Sequence, residues 1–516
     1  LNSRKQSLPI VVAGLLLGIL MASMDNTIVA TAMGNIVGEL GGMDKFVWVT
    51  SAYMVAEMAG MPIFGKLSDM YGRKRFFVFG IIVFMAGSAL CGTAHTITEL
   101  ALYRAVQGIG GGALVPIAFA IMFDAIPVEQ RGKMGGLFGA VFGLSSIFGP
   151  LLGAYITDHI AWQWVFYINL PLGVIAFVMV AFFYRESHEH SKQPIDWLGA
   201  FTLLGAVVCL MFALELGGKE WAWNSAPSFG LFAGFAVLLA AFLVTETKAK
   251  EPIISYALFK SRLYTTSVLC ALFSGAAFIA ASVYIPIFIQ GVLGGSATNS
   301  GLVLLPMMVA SVITASVGSA FLNKIPYRNI MVPTMALFAV GTALVTTLTA
   351  DSSRLIVTFY MVLIGLGIGA SFSVLSSAAI HGLSYRQRGS ASATMNFLRS
   401  LGMTIGITTF GILQSDRFSG RLAGVLPAGG DTGAADAAKL PAGLDLSDPH
   451  ALLSPATRAL FPPDILASIS KLLSSSIVYT FAWALVPVVL ALLASIFMGS
   501  QKLDASAESG GASAGH

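Results

Sequence analysis

Three ionisable side chains lie inside stretches that are otherwise apolar, and these are where chemistry is expected. Asp25 falls in Ser23-Met24-Asp25-Asn26-Thr27-Ile28-Val29-Ala30, Glu57 in the apolar run Phe46 to Phe64, and Arg104 heads Arg104-Ala105-Val106-Gln107-Gly108-Ile109-Gly110-Gly111-Gly112-Ala113. A charge is expensive to keep in an apolar medium, so an acid there is a candidate for taking up and releasing a proton, and a cation for pairing with it. The competing structural roles are permanent pairing for Asp25, a neutral hydrogen-bonded acid for Glu57, and an arginine snorkelling to headgroups for Arg104. No Ser/His/Asp set, paired carboxylates or metal-ligand spacing accompanies them, and His188-Glu189-His190 falls in a charged stretch. Neither an enzyme nor a metal site is expected.

The elements that must hold these groups follow from composition. Of 516 residues 56% are hydrophobic and only 10% charged, against roughly 25% charged in soluble chains, which points to an all-α polytopic membrane protein. The net charge of +4 is modest and its cations fall in short loops, so the expected partners are the lipid bilayer and small apolar or cationic molecules, with no nucleic acid. Cys91, Cys209 and Cys270 lie in apolar spans and form no disulfide framework. A Gly-x-x-x-x-Gly-Lys-Ser/Thr stretch is absent, so ATP is not expected to supply energy and no cofactor is required beyond protons as a coupling ion. The first apolar segment, Leu8 to Met33, is too long for a signal-peptide core and reads as a retained span.

Fourteen spans are expected: Leu8 to Met33, Phe46 to Phe64, Phe76 to Ile97, Leu100 to Phe123, Met134 to Thr157, Trp164 to Tyr184, Ile195 to Leu216, Pro227 to Val244, Tyr264 to Val292, Ser300 to Leu322, Ile330 to Thr349, Leu355 to Ile380, Ser390 to Leu413 and Ile477 to Met498. Lys and Arg gather on the side of the termini, at Arg4, Lys5, Arg131, Lys133, Lys248, Lys250, Arg328, Arg386 and Arg388 among others, whereas the short opposite loops carry Lys45, Lys219 and Arg354. Both ends are therefore expected in the cytoplasm. Between the second and third spans, Gly65-Lys66-Leu67-Ser68-Asp69-Met70-Tyr71-Gly72-Arg73-Lys74-Arg75 packs four cations into eleven residues. It reads as a tight loop at the cytoplasmic face, with Gly65 and Gly72 permitting close backbone approach and Asp69 placed to pair with Arg73.

That stretch closely resembles the loop motif Gly-x-Leu-x-Asp-x-x-Gly-Arg-Lys of the major facilitator superfamily. Further stretches resemble its fourteen-helix drug:proton antiporters. Met24-Asp25-Asn26-Thr27-Ile28-Val29 is similar to their first-helix Leu-Asp-x-Thr-Ile-Val, with Met24 in place of leucine; Arg104 to Gly108 resembles Arg-x-x-x-Gln-Gly; and Gly143 to Ala154, with Gly149, Pro150 and Gly153, resembles Gly-x-x-x-Gly-Pro-x-x-Gly-Gly, with Ala154 in the last position. Trp162-Gln163-Trp164-Val165-Phe166-Tyr167-Ile168-Asn169-Leu170-Pro171 matches the start of the sixth helix in that branch, although an interfacial aromatic belt accounts for its rings. The resemblance implies a role in proton coupling for Arg104, packing roles for Gln107, Gly108 and the fifth-helix glycines, a charge network of Asp69, Arg73 and Asp124, and export over import. A dedicated metabolite exporter of the same superfamily is the alternative; a non-transporting receptor or membrane enzyme lacks support in the residues.

An internal repeat supports the architecture independently. Tyr103 to Ala113 and Tyr360 to Ala370 share Tyr-x-x-x-x-Gly-x-Gly-x-Gly-Ala at an offset of 257 residues, and Gln130-Arg131-Gly132 recurs as Gln387-Arg388-Gly389 at the same offset. Two parallel six-helix bundles plus two inserted helices follow: residues 1–190, the inserted pair at 191–255, and 256–500 with a long outer loop at 415–476, then a disordered tail at 501–516. Arg104 corresponds to Met361, so the titratable groups belong to the first bundle and the second is expected to offer apolar surface. Asn26 in the first bundle and Tyr284, Gln290, Asn396 and Arg399 in the second are candidate substrate or gate contacts, Arg399 also as a member of a structural ion pair. Asp464 to Leu473 has helical periodicity and is expected to lie in the outer interface. The protein is expected to work as a monomer.

Overall fold

The computed structural model describes residues 7–41, 46–126, 131–186, 196–218, 221–295, 297–422 and 463–502. Fourteen long helices make up nearly all of the described residues: α1 (Leu8–Leu40), α2 (Phe46–Tyr71), α3 (Arg73–Cys91), α4 (Ile97–Ala125), α5 (Arg131–His159), α6 (Asn169–Phe183, after a single turn at Trp164–Tyr167), α7 (Trp197–Leu216), α8 (Ala226–Lys248), α9 (Arg262–Ile287), α10 (Ala297–Ala320), α11 (Tyr327–Val345), α12 (Arg354–Ala379), α13 (Tyr385–Leu422) and α14 (Pro463–Ile496). Local chemistry sets several of their starts. The side chains of Thr96, Asp196, Ser225, Ser261 and Ser353 each accept a backbone N–H three residues on, satisfying a donor that the first helical turn leaves open. Near Pro286, which has no N–H to give, α9 passes into a π-helical turn at Phe288–Val292.

Among the described residues, eleven spans are long and apolar enough to cross a membrane by length and composition. α2 lies against α13 and α5 against α10, so these helices bury polar side chains on protein instead of lipid: Ser51, Ser68 and Asp69 on α2, Ser145 on α5, and Thr394, Asn396, Arg399 and Thr404 on α13. Small and hydrogen-bonding residues are what such helix contacts favour inside a membrane.

Two apolar cores flank these seams. Val11, Ile19, Phe77, Phe84 and Leu114 join α1, α3 and α4, and Val268, Met335, Phe338, Ile364 and Phe481 join α9, α11, α12 and α14. A smaller cluster of Met58, Leu203, Phe242, Ile253 and Phe397 ties α7 and α8 to α2 and α13.

Several expectations need correction. Gly65 to Tyr71 is not loop: α2 continues through Tyr71 and the chain turns only at Gly72, whose φ of 113° is open to glycine alone at low strain. The helical hydrogen bonding persists because Asp69 and Arg73 are buried in contacts with other helices. The outer loop is shorter than 415–476, since α13 runs to Leu422 and α14 starts at Pro463. Asp464 to Leu473 does not form a separate interfacial helix. It is the first part of α14, where Ile469, Leu472 and Leu473 are buried in the core. The flexible stretch expected at Gly424 to Asp448, His188-Glu189-His190, Gln130 and the tail after Lys502 lie outside the described residues.

Candidate functional site

Five helices converge on Asp25, which is fully buried near the middle of α1. One carboxylate oxygen pairs with the guanidinium of Arg104 from α4. The other accepts the amide N–H groups of Gln107 on α4 at 2.8 Å and of Asn169 on α6 at 2.9 Å. Ser88 Oγ on α3 accepts from the same two amides, at 2.7 Å and 3.2 Å, and so fixes their orientation. Arg104 also donates to Gln107 Oε1 at 2.6 Å and to the Val49 carbonyl at 3.4 Å, and it lies 4.0 Å above the Tyr53 ring. The charge is therefore spread over neutral acceptors and an aromatic face as well as the carboxylate.

Expectation and geometry agree on the pairing of Asp25 with Arg104 but differ on Gln107. It was expected to serve packing, and instead its amide bridges Asp25, Arg104 and Ser88. Tyr53, Ser88 and Asn169 were missed as members of the cluster. Asn169 was visible only within an aromatic stretch whose rings had a sufficient account, and the other two carried no charge to mark them. Glu57 lies beside this cluster and faces Gly111 and Gly112 of α4.

Glycines set the approach of these helices. A Cβ at Gly108 would strike the Tyr53 carbonyl, and one at Gly87 would lie 2.6 Å from the Gln107 backbone. Replacing Gly87 with valine should therefore push α3 from α4 and move the Gln107 amide off Asp25. Overpacking of this kind destabilises by about 1–3 kcal/mol. A clear drop in melting temperature is expected for Gly87→Val in detergent and none for Gly230→Ala, whose added Cβ meets nothing within 4 Å; equal melting of the two variants would show that α3 and α4 can part freely.

The fifth-helix glycines abut the same region from the other side. Cβ atoms at Gly149 and Gly153 would collide with Thr27 and Thr31 of α1, and Thr27 Oγ1 donates to the Ser145 carbonyl at 3.1 Å. α5 thus lies directly on the turn of α1 that follows Asp25. Pro150 is half-buried within α5, and Gly143 is part of the same helix.

A second polar centre lies at the end of the bundle where α2 meets α3. Arg73 donates to Asp69 through Nη2 at 2.9 Å and through Nε at 3.2 Å, and its other terminal nitrogen pairs with Asp124 at the end of α4. Asp124 in turn accepts from Arg388 at 2.6 Å. Asp69 reaches across the seam and accepts the backbone N–H groups of Gly389 at 3.0 Å and Ser390 at 2.7 Å near the start of α13, the positive end of that helix dipole. Gly65 lets α2 approach this closely, since its Cβ would overlap Ala393 and lie 2.9 Å from the Gly389 carbonyl. The expected trio of Asp69, Arg73 and Asp124 is present, and it is extended by three residues of α13. Together they close the two helix groups on each other at this end.

The remaining candidates stand apart from Asp25. Tyr284 is buried near Gly411, and Gln290 belongs to the π turn that follows α9. Asn396 donates to the Ser392 carbonyl one turn back. Arg399 was expected in an ion pair, but it donates to the Ser371 carbonyl at 3.0 Å and lies 5.0 Å from the Phe372 ring. No carboxylate pairs with it among the described residues, because the buried polar groups α13 brings near it are neutral. A cavity of about 1100 Å³ lies between α2, α4 and α7, lined by Trp48, Ala56, Ala101, Ala105, Val208 and Phe212 among others. Its lining holds no ionisable group, so it is separate from the Asp25 cluster.

The family description Major Facilitator Superfamily matches residues 15–407. "Multidrug resistance protein 3" of Bacillus subtilis (strain 168) is 52% identical over 507 residues, 98% of this chain and 98% of that protein. "Multidrug transporter protein MdtP" of the same organism is 39% identical over 472 residues, 91% of this chain and 86% of its own length. Among solved structures, the human organic anion transporter MFSD10 (TETRAN) superposes with a TM-score of 0.57 at 15% identity, covering 94% of this chain and 100% of that one, a likeness of fold.

Proposed function

The chain belongs to the Major Facilitator Superfamily, and from that premise we propose that it exports hydrophobic or cationic compounds across the plasma membrane in exchange for protons. On the loop charges we take both termini as cytoplasmic; with that orientation the Asp69 network closes the cytoplasmic side and this conformation faces outward. The observation that carries the reading is the desolvated Asp25 carboxylate, paired with Arg104 and ringed by amides. Such a group is a proton acceptor whose affinity changes with access to water and with the distance of its cation. The relatives named for multidrug resistance and multidrug transport support the drug substrates.

Antiport needs a proton and a substrate that favour opposite states of one two-state element. Protonating Asp25 removes the charge that holds Arg104. The cation is not thereby stranded, because Gln107 Oε1, the Val49 carbonyl and the Tyr53 ring remain as partners. This lowers the cost of the neutral state and frees α1 to move against α4. α5, packed on the turn after Asp25 and on α10 across the seam, carries that movement to the other helix group. Helices then rock about the seams, exposing the site to one side at a time.

The test is ethidium efflux from proteoliposomes holding the purified protein under an imposed pH gradient. Efflux that starts with the gradient and stops when nigericin collapses it is expected. Efflux indifferent to the gradient would remove proton exchange from the reading, and absence of efflux in folded, oriented protein would replace drugs with a dedicated substrate.

Glu57 adds a second carboxyl beside Asp25, facing Gly111 of α4. It provides a second negative charge for substrates carrying two positive charges. Glu57→Gln is expected to reduce transport of a dicationic dye about tenfold or more while leaving a monocationic dye within about threefold, the difference being one charge pair in a poorly solvated site. Equal loss for both dyes would show that Glu57 does not discriminate by charge.

A further inference from the structure

The inserted helices α7 and α8 are tied to the closing contacts at Asp69 by a short run of hydrogen bonds. Glu246, in the last turn of α8, is 3% exposed, and its Oε1 accepts the N–H of Ile253 at 3.1 Å. That fixes the linker after α8, and the carbonyl of Ile253 then receives the hydroxyl of Ser390 at 2.8 Å. Ser390 is the residue whose backbone N–H Asp69 holds at 2.7 Å. On the other side of the linker, Glu251 pairs with Lys66 of α2 at 2.8 Å. Asp196, which caps α7 through the Gly199 N–H at 2.8 Å, lies beside Glu246 across Gly199. The linker is thus gripped by α2, α8 and α13, the helices that must part when this end opens.

We propose that Glu246 is a positioning residue for transport: its carboxyl shapes the 249–255 linker into a clasp that holds α13 to α2 when this end of the protein is closed. The inference rests on the transporter reading above but names a part of the chain which that reading leaves idle. Two features favour it over a purely local role. Glu246 accepts from the backbone of a segment with no helix of its own at Ile253, where the N–H has no intrahelical acceptor. The same residue's carbonyl accepts from a helix on the far side of the seam, so loss of the carboxyl reaches Ser390 directly. A carboxylate accepting a backbone N–H in a buried site is a strong anchor, and Glu246→Ala leaves the Ile253 donor unsatisfied.

Hydrogen exchange on the full-length protein in detergent reads this without a transport assay. In Glu246→Ala, amides of residues 249–255 and of α13 from Gly389 to Ala393 should exchange about tenfold or more faster, the effect of losing roughly one buried charge-assisted bond. Glu246→Gln, which keeps an oxygen for the Ile253 N–H, should restore most of the protection. Ser390→Ala, cutting the run from the other end, should loosen the linker in turn, and the double variant should be no worse than the more severe single one. In proteoliposomes the turnover should fall with substrate KM changed little, and glutamine should recover it. Protection at Gly389 to Ala393 unchanged in Glu246→Ala, or additive effects of Glu246→Ala and Ser390→Ala, would overturn the clasp. A parent protein that fails to transport while the exchange pattern holds would count against drug export and leave the clasp standing.

Discussion

Asp25→Asn should abolish pH-gradient-driven efflux, with a loss of about a hundredfold or more, while the protein still folds and binds dye. Asparagine keeps the size of the side chain and one acceptor oxygen, but it cannot exchange a proton, and coupling requires that exchange. The structural penalty is separate and can be measured. Arg104 would remain buried opposite a neutral amide, and breaking a buried pair from one side costs about 3–5 kcal/mol where nothing compensates. Here Gln107, Val49 and the Tyr53 ring retain the guanidinium, so the fall in melting temperature should be well short of that limit. Asp25→Asn combined with Arg104→Gln removes the buried charge that has lost its carboxylate and should recover stability without recovering coupling. Efflux close to the parent in folded Asp25→Asn would move proton exchange to Glu57 or elsewhere.

The separation of stability from coupling matters because so much of the cluster is neutral. Charged residues in apolar runs are rare, and this made Asp25, Glu57 and Arg104 legible in the sequence. Ser88 and Asn169 were not, since a serine or asparagine in an apolar helix usually bonds locally, and their real partners depend on how closely α3 and α4 approach at Gly87. The same limit applied at the other centre. Asp69, Arg73 and Asp124 could be grouped from charge and spacing, yet the donors Asp69 accepts from across the seam are backbone N–H groups 320 and 321 residues away, and a backbone donor leaves no mark in a sequence. Gln387-Arg388-Gly389 was visible as a repeat of Gln130-Arg131-Gly132, but the repeat spoke to symmetry and not to contact. Helix number was readable from apolar length; helix ends were less so, because α2 runs through Tyr71 on the strength of buried ion pairs that no local propensity contains.

The two centres are joined by α4, which carries Arg104 and Gln107 near one end and Asp124 at the other, and whose Ala120 carbonyl accepts from Arg73 at 3.3 Å. A movement of α4 that follows release of Arg104 must displace Asp124, and with it both Arg73 and Arg388. On the proposed mechanism, protonation at one end and closure at the other are linked through α4 itself, a physical route that does not depend on a chain of side-chain relays.

Asp69→Asn is the sharpest probe of that linkage. The carboxylate serves four N–H donors, two from Arg73 and two from the backbone of α13, whereas an amide offers one oxygen and points its own donors at groups that also donate. Losing even one or two hydrogen bonds to a charged acceptor, at about 1.5–3 kcal/mol each, would lower the population of the closed arrangement by a factor of ten to a hundred or more. Transport should fall by about the same order, because a state that no longer closes cannot complete the cycle. The conformational shift can be read directly. Spin labels on Arg75→Cys and Arg386→Cys, both exposed positions on opposite sides of the seam, should report longer separations in Asp69→Asn than in the parent on a background without native cysteines. Lost transport with an unchanged distance distribution would show that Asp69 acts on something other than closure, and unchanged transport with longer distances would show that closure of this end is not required for turnover.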